Sequence, residues 1–180
     1  MARYAGSRAV VVGQAGGIGL AIAKRLVEGG AEVLLTAPAG QERDRAGVEL
    51  GSAARVVAPD AVEAALGPAG GIDLLFADAV PTARPLLPYV SDHGAVVLTT
   101  PAPTPASVRE LAAELIARGV RVNAVAPSCI EAPAGGAAPL PPLGRLGSAE
   151  EVARAALFLA TDATFTTGAR LPVDGGLGHP

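Results

Sequence analysis

After the apolar run Ala9-Val10-Val11-Val12, Gly13, Gly17 and Gly19 leave backbone without side chains, and Ile18, Ile22 and Leu26 recur at helical spacing. Gly29-Gly30 stops that pattern. The spacing predicts a buried strand, a tight turn and a helix N-terminus. A helix start presents unpaired N–H groups and the positive end of the macrodipole to an anion, and backbone without Cβ atoms lets a pyrophosphate come close. Gly13, Gly17, Ile18 and Gly19 are therefore candidates for holding a dinucleotide. The same glycines also serve close packing of a helix on a strand, and both readings stand at this level.

Other side chains offer less. Asp60 stands where it can cap a helix over Val62, Ala65 and Leu66. Asp78 ends a strand, either as an acid in a cleft or as a carboxylate bonded to nearby backbone. Tyr89 is either a relocated acid or a partly buried aromatic. Arg43 and Arg45 can reach a phosphate or form a solvated face. The single cysteine, Cys129, reads as a small residue in a strand-end loop and rules out an internal disulfide. No Cys, His or carboxylate cluster surrounds His93 or His179, so no metal site is expected.

Strands are expected over 31–36, 55–57, 72–77, 94–99, 120–126 and 171–173, after the first over the run that ends at Val12. Between them, 41–50 reads as a short charged helix, Thr104-Pro105 starts a helix with the buried stripe Val108, Leu111, Ala112 and Leu115, and Ser148 with Glu151 forms a capping box. Pro81, Pro85 and Pro88 predict a short irregular segment there, and 133–142 reads as a Gly/Ala/Pro-rich loop. Alternating strands and helices imply parallel pairing with right-handed crossovers: an α/β, doubly wound, Rossmann-like sheet in one domain over 1–180. Ligands in that architecture sit beyond the carboxyl ends of the strands.

The 180 residues are 50% hydrophobic and 17% charged, with a formal net charge of -3 and no basic cluster, so neither nucleic acid nor an anionic membrane is an expected partner. No apolar run approaches the roughly 20 residues of a membrane helix, and the first residues lack a basic-then-apolar leader pattern, so a cytoplasmic protein is expected.

Larger motifs are specific. Val12-Gly13-Gln14-Ala15-Gly16-Gly17-Ile18-Gly19, Ile72 to Val80 read as a strand ending Ala77-Asp78-Ala79-Val80, Arg121-Val122-Asn123-Ala124-Val125-Ala126-Pro127, and Pro142-Leu143-Gly144-Arg145-Leu146-Gly147 through Val173-Asp174-Gly175-Gly176 together resemble the short-chain dehydrogenase/reductase family over nearly the whole chain. The resemblance implies an NAD or NADP cofactor held by the glycine loop, an adenine contact from Asp60, and a tail that packs across a two-fold axis.

The departures carry as much information. The family orients a carbonyl with a serine and transfers a proton with the tyrosine of a YxxxK pair, whose lysine lowers the phenol pKa. Here the serine position falls on Pro101 beside Thr100, the only tyrosines are Tyr4 and Tyr89, and the only lysine is Lys24. A phenol with a pKa of about 10 is a poor proton carrier at neutral pH without a nearby cation. Ala77, Val80 and Ala132 replace the family's Asn, Gly and Thr around the cofactor, and Ala37-Pro38 offers neither acid nor base to the adenosine ribose.

The expectation is a non-catalytic or degenerate relative with weakened or lost NAD(P) binding, acting as a homo-oligomer or as a hetero-oligomer with an active relative. The alternative is an oxidoreductase with a rebuilt active site, or a non-redox enzyme in the same cleft. The connection from 81 to 93 looks barely long enough to cross back, leaving one sheet face thinly covered and open to a partner.

Overall fold

Seven runs become the strands of one parallel sheet, whose central strands are rich in Val, Leu and Ala on both faces and must be covered twice, while the two edge strands are only partly buried. The computed structural model of the chain describes residues 3–13, 16–38, 40–67, 71–99, 104–131 and 140–178. Its strands are β1 (Arg8–Val12), β2 (Glu32–Thr36), β3 (Ala54–Val57), β4 (Ile72–Ala77), β5 (Val90–Leu98), β6 (Arg121–Pro127) and β7 (Arg170–Val173), in spatial order β3-β2-β1-β4-β5-β6-β7. Register pairs such as Val10 with Leu34, Val11 with Phe76 and Val97 with Asn123 are all parallel. The order reverses between β1 and β4, which opens a crevice at the carboxyl ends of those strands.

One face, carrying Ala9, Val11, Val33, Leu35, Phe76 and Val97, packs under α1 (Gly17–Glu28), α2 (Gln41–Leu50) and α6 (Ala149–Leu157). The other, carrying Val10, Val12, Leu34, Leu75, Val96 and Leu98, packs under α3 (Val62–Leu66), α4 (Val80–Ala83) and α5 (Pro105–Leu115). The expected caps form: the Thr104 hydroxyl accepts from the Ser107 N–H at 3.1 Å, and Ser148 and Glu151 close a capping box.

Three expectations are corrected. The proline-rich connection is helical: α4 is one turn, followed by a 3₁₀ segment over Arg84–Tyr89. Pro81 and Pro85 sit in the first two positions of their segments, where a helical N–H has no partner to lose. These turns bury Ala83, Leu86 and Leu87 over the sheet, so the face expected to be thinly covered is closed: Val10, Val12, Leu75, Val96 and Leu98 are at most 4% exposed. Asp60 does not cap α3. It lies in a 3₁₀ turn over Pro59–Ala61, and α3 begins after Ala61 with no side-chain cap.

β5 also starts earlier than expected. Its register slips between Ile72 and Leu74 of β4, and Arg118 pins the added residues through the carbonyls of Leu87 and Val90 and the carboxylate of Asp92. That clamp comes from a residue 28 positions from Val90, beyond the reach of local pattern.

Candidate functional site

The crevice is built first by backbone. Gly13 follows β1 with a φ of +92°, a conformation that side chains avoid, and a Cβ there would overlap the Asp78 carboxylate. Its N–H donates to Thr36 Oγ1 at 3.2 Å, tying the end of β1 to the end of β2. Gly17, at φ +52°, opens α1 in free space, Ile18 packs partly against the core, and Gly19 is buried in the helix. α1 has no side-chain cap and no acidic residue in its first turn, so its first N–H groups stay available to an anion. Gln14 and Ala15 of the same loop lie outside the described residues.

Beside Gly13 a cavity of about 310 Å³ runs along the carboxyl ends of β1, β2 and β3. Thr36, Asp60 and Glu63 supply its polar wall, while Thr82, Pro85 and Leu86, from the two short helical segments, close it on the far side. Its size falls at the lower end of ordinary ligand pockets. Gly13 and Asp60 therefore come together, whereas Gly17, Ile18 and Gly19 stand at the helix start rather than in this wall. Glu63 escaped the sequence analysis; its one signal was its place three residues after Asp60, at the spacing of one helical turn.

Asp78 is the unusual group. Its Oδ1 is buried with no hydrogen-bond partner among the described residues, so the expected bond to local backbone is not made by that atom. Its own N–H donates to the Val12 carbonyl at 3.2 Å, which holds the side chain against Gly13.

The phenols and the lysine lie elsewhere or are engaged. The Tyr89 hydroxyl donates to Glu63 Oε2 at 3.3 Å, and the charge of that carboxylate holds the phenol pKa above its ordinary value. Tyr4 is buried against Gly29, beyond the C-terminus of α1. Lys24 is ion-paired with Glu49, and together with Arg45 it holds the Glu49 carboxyl below the usual carboxylate range. The Thr99 hydroxyl is buried and donates to the Ala77 carbonyl at 3.3 Å. Thr100, Pro101 and Ala132, three positions singled out in the sequence, and most of the loop over 133–142 lie outside the described residues.

Cys129 is half-buried at a φ of +51° and lines a separate cavity of about 400 Å³ at the ends of β6 and β7. The ring of the exposed His93 rests against Gly119, and His179 lies outside the described residues. No group of three or more His, Cys, Asp or Glu side chains capable of holding a metal exists among the described residues.

Comparison with known proteins accounts for this arrangement. A family profile described as enoyl-(acyl carrier protein) reductase matches residues 90–178. A solved short chain dehydrogenase/reductase family protein superposes with a TM-score of 0.83 at 28% identity, covering 98% of this chain and 99% of the other. The chain belongs to the short-chain dehydrogenase/reductase family.

A short-chain dehydrogenase/reductase from Serratia marcescens shares the fold at a TM-score of 0.83 and 21% identity, over 97% of this chain and 99% of that one. L-fucose dehydrogenase of Bos taurus is 40% identical over 105 residues, 50% of this chain and 36% of the relative. The 3-oxoacyl-[acyl-carrier-protein] reductase FabG of Thermotoga maritima is 46% identical over 76 residues, 37% of this chain and 31% of the relative. The matches thus span about a third of those relatives' own lengths. At the carboxyl ends of the strands, where ligands sit in this architecture, the chemistry present is compatible with the adenosine half of a dinucleotide: a Cβ-free approach at Gly13, a hydroxyl at Thr36 and an acid at Asp60. Among the described residues, no helix is long and apolar enough to cross a membrane.

Proposed function

We propose that this chain binds an NAD(P)-type dinucleotide by its adenosine half and works as a non-catalytic ligand-binding subunit, paired with a second copy or with an active relative. The observation that carries the reading is the state of Tyr89. Proton transfer by a phenol near neutral pH needs a cation to stabilise the phenolate, and Tyr89 has a carboxylate instead, which acts in the opposite direction. Lys24, which would have to supply the cation, is held by Glu49 on the α1–α2 side. When bound, such a dinucleotide supplies a hydride at its nicotinamide ring; the proton that must accompany it has no activated donor among the described side chains. The cavity at Thr36 and Asp60 and the uncapped start of α1 support the binding half of the proposal.

Pairing is supported by the aromatic residues around the last helix. Phe158, just after α6, is half exposed, Phe165 is fully exposed on the way to β7, and β7 is an edge strand of the sheet. Light scattering after size-exclusion chromatography is expected to report a dimer, and a monomer that also ignores a co-expressed relative contradicts the pairing.

A second reading, an oxidoreductase with a rebuilt relay, is favoured by the buried Oδ1 of Asp78, a carboxyl oxygen beside the loop that has no hydrogen-bond partner among the described residues. Fluorescence titration with NADH and NADPH, followed by incubation with a panel of aldehydes and ketones, separates the two. The proposal expects saturable binding and nicotinamide consumption no faster than without protein. It is overturned by an absence of binding, or by turnover that disappears in Asp78→Asn or Tyr89→Phe.

A further inference from the structure

The cavity beside Gly13 carries charge of one sign. Asp60 and Glu63 line it, and no Lys or Arg does. Of the cations on α1 and α2, Lys24 and Arg45 pair with Glu49, Arg25 pairs with Glu150, and Arg43 donates from Nη2 to the Ala37 carbonyl at 3.4 Å. Glu63 spends Oε2 on the Tyr89 hydroxyl, and Asp60 is exposed at the wall. Val12, Val62, Pro85 and Leu86 give the cavity its apolar surface. Two carboxylates beside an apolar surface suit a ligand that brings N–H and O–H donors on an apolar body, and they oppose one that brings an anion.

A third carboxylate stands at the loop itself. Asp78 packs so closely on Gly13 that a Cβ there would overlap it, and its Oδ1 is buried with no hydrogen-bond partner among the described residues. Charge held that way is little screened by solvent. The opposing attraction is the uncapped start of α1, equivalent to about half a positive charge. For an anion lying between Gly13 and Gly17, a full negative charge at the first glycine outweighs about half a positive charge at the far end. We propose that Asp78 makes this site selective for the uncharged adenosine moiety over its phosphorylated forms, so that a dinucleotide carries its phosphates past the loop at a cost; this rests on the dinucleotide reading above.

The test is calorimetric and independent of turnover. Affinities of the full chain for adenosine, 5′-AMP, ADP and NADH are measured for the native sequence and for the isosteric Asp78→Asn, each at about 0.01 M and about 0.15 M salt, where the Debye length shrinks from about 30 Å to about 8 Å. The native chain is expected to bind adenosine at least as tightly as 5′-AMP and ADP. Added salt should strengthen ADP and leave adenosine within about 2-fold, because screening relieves a repulsion; a site that attracts phosphate shows the opposite sign. Asp78→Asn should tighten ADP and NADH by about 5-fold to 50-fold and leave adenosine within about 2-fold. ADP bound more tightly than adenosine by the native chain, or weakened by salt, overturns the selectivity, and the salt series needs no variant to show it. Equal changes for adenosine and ADP in Asp78→Asn, or no change in either, overturn the assignment to Asp78; in each of these cases NADH binding leaves the dinucleotide reading standing. If none of the four ligands binds either chain, that reading falls and this proposal falls with it.

Discussion

Replacing Gly13 with alanine probes the joint on which the crevice depends. At a φ of +92° an L-residue incurs about 1–2 kcal/mol of backbone strain. The new Cβ also meets the Asp78 carboxylate, an overpacking of about 1–3 kcal/mol, with the short Asp78 side chain yielding enough to keep it toward the lower end. The sum, about 2–4 kcal/mol, lowers Tm by roughly 5–15 °C for a chain of this size. Urea and thermal denaturation followed by circular dichroism measure it.

The decisive comparison is the double variant. Asp78→Ala alone is expected to be neutral or stabilising, because the buried Oδ1 it removes has no partner among the described residues. In Gly13→Ala/Asp78→Ala the overlap is gone and only the backbone strain of about 1–2 kcal/mol remains. Equal losses in the single and double variants would refute the packing of Asp78 against the loop.

Three further outcomes follow from the same geometry. Arg121 donates to the carbonyls of Leu159, Ala160 and Ala163 around the end of α6, so Arg121→Ala should cost about 2–4 kcal/mol in urea titrations, with Arg121→Lys recovering under half of it. Asn123 is buried, donating to Thr166 and accepting from Ala169 at 2.9 and 3.0 Å, and Asn123→Ala should cost about 2–4 kcal/mol by leaving two backbone groups unpaired. Glu151 is held down to about 2 by Arg145 and the Ser148 N–H. Because its folded pKa lies below the unfolded one, its contribution is present above about pH 4.5 and is lost as pH falls toward 2. Glu151→Gln should flatten the pH dependence of Tm within that window and leave it unchanged at higher pH.

The parallel, doubly wound sheet was legible in the sequence because buried strands alternate with helices, and Ile22 and Leu26 repeat along α1 as their spacing predicts, whereas the strand order and the split of β1 into Val10 and Val12 on one face and Ala9 and Val11 on the other come from the structure. Gly13 was legible too, since an apolar strand running into glycines permits few geometries. The misreadings share a cause. Pro81 and Pro85 read as breakers because composition does not reveal that they occupy segment starts, where proline is harmless. Asp60 looked like a cap because local pattern cannot show the 3₁₀ turn that carries it instead into the cavity wall. The Tyr89–Glu63 bond and the Arg43 hold on Ala37 join different elements of the fold, and no spacing rule encodes them.

The central claim is that this fold retains a dinucleotide without passing on its hydride. The most direct measurement is label transfer from NADPH deuterated at the nicotinamide, mixed with stoichiometric protein at a concentration where calorimetry shows saturation and then given a panel of aldehydes and ketones. Mass spectrometry of the products is predicted to find deuterium no higher than in protein-free controls. Deuterium appearing in any alcohol, at a rate proportional to the protein present, would contradict the account.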